Sequence, residues 1–237
     1  MSAPYHTYTY NDPFFIKRWL HRRRFDDAID LLDLKKDDQL LDYGCGDGYF
    51  LKVLADGKII GSLYGFEPAG NMFEQAKKNL TGTNVELFRE YQEFQNKRFD
   101  KISCLETGEH LSDQDLGILF GQIKNILAES GQVVFSVPLE IGLPALVKNI
   151  YRLPKKQHHD NLTAGNFFRS VFGLRINRRI SQIDNNIDYI FSHMGFDFRD
   201  FEKILYQNFK IEKRVFKPLP FLGWVFNNTI YYSCIKR

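Results

Sequence analysis

Cysteine is scarce and scattered. The three thiols, Cys45, Cys104 and Cys234, stand far apart in no paired or metal-like spacing, which argues against a disulfide framework or a cysteine-built zinc site and fits a reducing compartment. No apolar run approaches the roughly 18 residues of a membrane span, and the opening MSAPYHTYTYNDPFF lacks the basic-then-apolar layout of a secretory leader. A cytoplasmic location is therefore expected, with room left for peripheral contact at a membrane surface. Internal repeats and low-complexity tracts are absent too, so solenoids and disordered arrays drop out.

What is there is a chain of 237 residues, 43% hydrophobic and 15% aromatic, long enough to bury one sizeable core. A single domain over 1–237 is expected. The formal charge of +3 hides an asymmetry: residues 1–140 hold 16 Lys+Arg against 22 Asp+Glu, a balance of −6, whereas 141–237 hold 16 against 7, a balance of +9. A basic C-terminal part can attract an anionic substrate, nucleic acid or an anionic membrane surface. A solvated face of Lys and Arg accounts for most of these residues without any partner.

Asn11-Asp12-Pro13 is a good helix start, and the pattern predicts a helix from Pro13 to about Leu34, with Arg22-Arg23-Arg24 on a wet face. Strands are expected at Gln39–Tyr43, Ser62–Phe66, Val85–Phe88, Lys101–Leu105 and Gln132–Val137. Helices are expected between them at Tyr49–Ala55, Asn71–Asn79 and Asp115–Ala128. Strict alternation of this kind makes right-handed crossovers and a mostly parallel sheet covered on both faces. A last helix at Asp197–Asn208 and two strands, Phe209–Phe216 and Thr229–Ile235, close the chain.

The strongest signal is Leu40-Leu41-Asp42-Tyr43-Gly44-Cys45-Gly46-Asp47-Gly48-Tyr49-Phe50, a strand that runs into three alternate glycines and then a helix. Glycines are needed where the chain turns tightly and its backbone must approach a ligand. A dinucleotide site would read G-x-G-x-x-G. Here the spacing is G-x-G-x-G, preceded by Asp42, an acid that would repel a pyrophosphate and suits a ligand with a cationic end. Glu67 follows Gly44 by 23 residues, placed to accept hydrogen bonds from ribose hydroxyls.

This D-x-G-x-G-x-G run resembles the first motif of class I S-adenosylmethionine-dependent methyltransferases. The stretch Phe99–Leu111, an Asp-led strand ending in an acid and then Glu-His, looks like that family's fourth-strand motif. Leu127–Pro138 resembles its next helix end, Gly-bearing turn and fifth strand. The resemblance implies a Rossmann-like, doubly wound, mostly parallel seven-stranded sheet with an antiparallel C-terminal strand pair. It divides the chain into an N-terminal helical arm (1–37), a cofactor-binding core (38–138), an insertion (139–196) and the final helix and strand pair (197–237). It also implies that Asp42 with Gly44, Gly46 and Gly48 holds the methionine part of S-adenosylmethionine, that Glu67 and Pro68 lie at the ribose, and that Leu105 lies on the sulfonium side. Glu90 and Tyr91 occupy the adenine region without a clean match. The product would be S-adenosylhomocysteine.

Glu106, Glu109 and His110, just past the end of the fourth strand, are the candidates for a general base, with Glu106 and His110 taken as the candidate catalytic residues. Glu106 either lines the site or caps the next helix, and His110 is open to a structural role as well. No metal is expected: His158-His159-Asp160 is a poor ligand set because adjacent histidines point apart, and His6 and His193 have no partners in view. Tyr5, Tyr8 and Tyr10 are open to a lid over the cofactor or to an ordinary ordered arm.

The insertion shows three apolar stripes at helical spacing: Leu143, Leu146, Val147 and Ile150; Phe167, Phe168, Val171 and Phe172; and Ile180, Ile183, Ile187 and Ile190. It reads as a cover for the methyl acceptor, edged by Lys148, Arg152, Lys155, Lys156, Arg175, Arg178 and Arg179, or as surface buried on the sheet or a second subunit. A small-molecule or lipid-linked acceptor, with an anionic group, is expected. Neither an Asn/Asp-Pro-Pro-aromatic motif nor a Pro-Cys nucleophile is present, so nucleic acid is the weaker partner. A non-catalytic module that binds the cofactor is the alternative from another class.

Overall fold

The structure is a computed structural model, and it describes residues 15–59, 61–153, 162–183 and 187–237, with the side chains of 15–22 left aside. Helix α1 (Phe15–Leu32) leads into β1 (Gln39–Tyr43), α2 (Tyr49–Asp56), β2 (Ser62–Phe66), α3 (Gly70–Asn79), β3 (Glu86–Phe88), β4 (Phe99–Leu105), α4 (Asp113–Ile126) and β5 (Leu127–Pro138). The insertion supplies α5 (Gly142–Arg152), α6 (Ala164–Val171), β6 (Ser181–Ile183) and β7 (Ile187–Tyr189). Then α7 (Phe198–Asn208), β8 (Phe209–Lys217) and β9 (Thr229–Lys236) complete the chain.

Seven strands form one sheet in the order β3-β2-β1-β4-β5-β9-β8. The pairs from β3 to β5 are parallel, and β9 lies antiparallel to both β5 and β8. Strand order reverses between β1 and β4, which opens a crevice at their carboxyl ends. One face buries Phe25, Leu32, Phe50, Leu51 and Leu54 of α1 and α2. The other buries a mostly aromatic set, with Phe120, Phe135, Phe201 and Phe209 meeting at centroid distances of 5.3 to 6.3 Å where they pair. The sheet is thus covered on both sides, as the alternating pattern requires.

The expected doubly wound fold is the observed one, with several corrections in detail. Strand β5 begins at Leu127, not Gln132, because Leu127 turns extended (φ −68°, ψ 135°) and pairs with Phe99. The third apolar stripe is not a helix. Ile183 and Ile187 face each other across a two-stranded antiparallel ribbon, β6-β7, since β-branched side chains favour strands and the intervening Asp-Asn-Asn is turn-forming in composition. Helices α5 and α6 do form, yet Val147, Ile150 and Phe168 point outward, while Ala145 and Asn149 are buried. Arg24 is not on a wet face either: its guanidinium pairs with Glu106 at 3.2 Å. The expectations for Tyr5, His6, Tyr8, Tyr10, Asn11–Pro13, Lys155, Lys156 and His158–Asp160 lie outside the described residues.

Candidate active site

The turn after β1 is built by positive backbone angles that favour glycine. Gly44 has φ +80° and Gly46 φ +57°. A Cβ on Gly44 would meet the Thr107 hydroxyl at 2.7 Å, so the residues after β4 close directly on this turn. A Cβ on Gly46 would meet only Met72 Cε, at 3.6 Å, so that backbone faces open space. Gly48 caps α2. The Gly44 and Cys45 amides both donate to Phe66 O, at 2.8 and 3.0 Å, which ties the turn to the end of β2.

Two acids frame it. Asp42 is buried in β1 and accepts from the Ser103 hydroxyl at 2.7 Å. Burial raises its carboxyl to about 7, with Glu67 adding to the rise and the Ser103 bond opposing it. Glu67 accepts the Gly46 amide on Oε2 and the Ala69 amide on Oε1, both at 2.9 Å. Each carboxylate oxygen retains acceptor capacity, so Glu67 both holds the turn and can take further donors. Pro68 follows half-buried. Glu90 and Tyr91 are placed differently: Glu90 is exposed and starts a capping box with Glu93, whereas the Tyr91 hydroxyl accepts from Asn125 on α4 at 2.9 Å.

At the end of β4, Leu105 is half-buried against the α1–α2 side of the core. Glu106 takes φ +51°, rare for a residue with a side chain. Its amide donates to Ser136 O at 3.0 Å, and its carboxylate meets Arg24. It does not cap α4; Ser112 does, accepting from the Asp115 amide. Glu109 is wholly buried, and neither of its carboxylate oxygens finds a hydrogen-bond partner. Burial, then Glu106, pushes its pKa well up.

His110 is fixed by the insertion. Its Nδ1 lies 2.8 Å from Ile190 O, the Ile190 amide donates back to His110 O at 2.9 Å, and Tyr189 stacks on the ring at 4.5 Å. Burial lowers its pKa to about 4, against a smaller opposing effect of the Ile190 bond, which leaves the imidazole neutral at physiological pH. His193 contradicts the expectation that nothing stands near it. Its ring lies 4.8 Å from that of His110, and its Nδ1 is 3.9 Å from Glu140 Oε1.

Glu109, His110 and His193 bring ligand atoms within 4.8 Å of one another. Two imidazoles and a carboxylate could hold a cation or, uncharged, accept a proton. Arg178 is packed against the same cluster, its guanidinium bonded to Glu109 O. Glu140, at the end of β5, is buried and gathers Lys148 and Arg152, each at 2.9 Å. Burial would raise its pKa, but Lys148, Arg152 and His193 overcome that and hold it far below the usual carboxylate range. Sequence reasoning named Glu109 beside Glu106 and His110 but missed His193 and Glu140. Glu140 carried a usable signal, an acid just past the end of a central strand, whereas His193 carried none.

Residues 16–172 match the family described as a methyltransferase domain. This chain belongs to that family. YrhH of Bacillus subtilis (strain 168), whose name assigns it provisionally to the methyltransferases, is 28% identical over 142 residues, covering 57% of this chain and 76% of YrhH. Among solved structures, the PH0226 protein of Pyrococcus horikoshii OT3 superposes with a TM-score of 0.64 at 16% identity, over 98% of this chain and 96% of that one. An S-adenosylmethionine-dependent methyltransferase from Clostridium acetobutylicum ATCC 824 gives 0.56 at 16% identity, over 96% and 98%. At such identities the two structures speak for the shared fold. No described helix is long and apolar enough to cross a membrane.

Proposed function

We propose that this enzyme transfers a methyl group from S-adenosylmethionine to a small-molecule or lipid-linked acceptor bound beside Glu109, His110 and His193. The observation that carries the reading is the acid-framed turn: a backbone open at Gly46, with Asp42 and Glu67 on either side. Such a site fits a nucleoside with a cationic tail and disfavours a pyrophosphate, which two carboxylates would repel. Bound there, the cofactor supplies a methyl carbon already activated by the sulfonium. The chain's own task is to align a nucleophile behind that carbon and keep water out.

The insertion, residues 139–196, supports the second half of the reading. Its backbone at Ile190 pairs with His110 in both directions, and Arg178 and His193 pack on the turn after β4. It therefore covers the acceptor side of the crevice. Lys148 and Arg152 do not edge the cover as anion ligands, because both turn their charged ends inward to Glu140. His110 and His193 are neutral bases here, able to receive a proton from the attacking group and unable to deliver one near pH 7. Incubating the purified protein with metabolite and lipid extracts and a methyl-labelled donor tests the assignment. Label should reach one class of small or lipid-linked product; label only in nucleic acid would overturn the acceptor reading.

Asp42 gives a pH signature. Its carboxyl titrates near 7 in the free protein, and a cationic ligand favours the ionised form, so binding expels a proton. Cofactor affinity should rise with pH from about 6 to about 7.5 and then level off. Titration calorimetry in buffers of different ionisation enthalpy should register the released proton, and Asp42→Asn should flatten the profile. A pH-independent affinity in the parent protein would take Asp42 out of the site.

A further inference from the structure

Seventeen large apolar side chains are exposed among the described residues, and fifteen of them fall in just two segments, 143–191 and 219–226. Val147 is 61% exposed, Phe172 73% and Phe221 81%. Soluble monomers rarely leave contiguous apolar surface on this scale without a use for it.

The two segments meet at the start of α5. The Trp224 ring lies directly over Gly142 at the start of α5. Asn149 of α5 donates to Ser170 of α6 at 2.8 Å, and Lys148 and Arg152 turn inward to Glu140. Those polar anchors leave Leu143, Val147 and Ile150, one face of α5 at helical spacing, looking outward. Phe168 of α6, Phe172 just after it and Phe221 in the 219–226 turn are exposed as well.

Charge decides what covers it. Between Glu140 and Asp184 the chain holds one acid, Asp160, against eight Lys and Arg, and from Lys213 to Arg237 it holds none. Arg169, Arg175 and Arg179 are exposed between the apolar side chains and have no acidic partner among the described residues. A second copy docked by two-fold symmetry would set this basic face against itself. An anionic bilayer surface matches both features, since its headgroups attract arginine while its acyl boundary takes Phe, Trp and Leu.

We propose that the face made by α5, α6 and residues 219–226 docks on anionic lipid bilayers. Most of it is the outer surface of the insertion that covers the acceptor side, so docking would set the crevice near the membrane surface. The proposal stands whichever acceptor is methylated, and its test needs neither cofactor nor acceptor. The chain has two tryptophans, Trp19 and Trp224, so Trp19→Phe in the full chain makes Trp224 the reporter.

This protein should sediment with vesicles of phosphatidylglycerol in phosphatidylcholine and not with phosphatidylcholine alone. Its emission should shift to the blue on binding, and added salt should release it. Arg169→Glu, Arg175→Glu and Arg179→Glu together should weaken binding about a hundredfold or more, at roughly fivefold per charge removed. Phe172→Ser with Phe221→Ser should do the same while the melting temperature holds. Two results would overturn the proposal: no sedimentation and an unshifted Trp224 with the anionic vesicles, or a lipid-free dimer that Phe221→Ser dissolves, which would give the face to a second copy.

Discussion

Gly46→Val is expected to abolish cofactor binding in a protein that still folds. A branched side chain at φ +57° costs about 1–2 kcal/mol of backbone strain, a drop of about 5 °C in melting temperature for a chain of this size. The packing cost is small, because only Met72 Cε comes near the new Cβ, at 3.6 Å. What the side chain does fill is the space over the turn, where the ligand must approach the backbone. Glu67→Ala should act on the same site more gently. It removes the acceptor of the Gly46 and Ala69 amides, and charge-assisted bonds are worth about 1.5–3 kcal/mol, so affinity should fall on the order of tenfold or more. Calorimetric titration with S-adenosylhomocysteine, alongside thermal melts, reads both effects. A folded Gly46→Val protein with parental affinity would move the cofactor site elsewhere.

The parts of this protein that are legible in its sequence share a cause: they are locally determined. The glycine turn announces itself because positive φ and close approach demand glycine in a fixed order after a strand. The parallel core is legible because short apolar runs alternate with amphipathic helices, and α7 because Asp197 caps it and accepts from the Arg199 amide. What escaped depends on contacts far apart in the chain. Ile180, Ile183, Ile187 and Ile190 fit a helical period, and only strand pairing decides against it. Leu143, Val147 and Ile150 look like a core stripe until Glu140 and Ser170 are seen to anchor the polar side of α5 inward. His193 meets His110 across 83 residues of chain, a juxtaposition that no local pattern records.

The acceptor side is held by that same inward anchoring, which makes Glu140 the residue on which the insertion depends most. Glu140→Gln is expected to destabilise the protein by about 3 kcal/mol, the lower end of what breaking a buried ion pair costs. The lower end applies because Lys148 and Arg152 each keep about a fifth of their side chains exposed, 23% and 19%, and can turn partly to water. The melting temperature should fall on the order of 10 °C. The pH dependence follows from the depressed carboxyl. A group held below its unfolded value contributes stability that is present above about pH 4.5 and is lost as pH falls through the folded value. The Glu140→Gln variant should therefore converge on the parent as both are acidified, rather than run parallel to it. Because Glu140 touches α5 and His193 and not the glycine turn, cofactor affinity should hold while methyl transfer and the protection of 142–193 amides against hydrogen exchange decline together. Parental stability across pH 3–7 would mean that Lys148 and Arg152 are not held by this carboxylate, and the inward-facing side of α5 would need another cause.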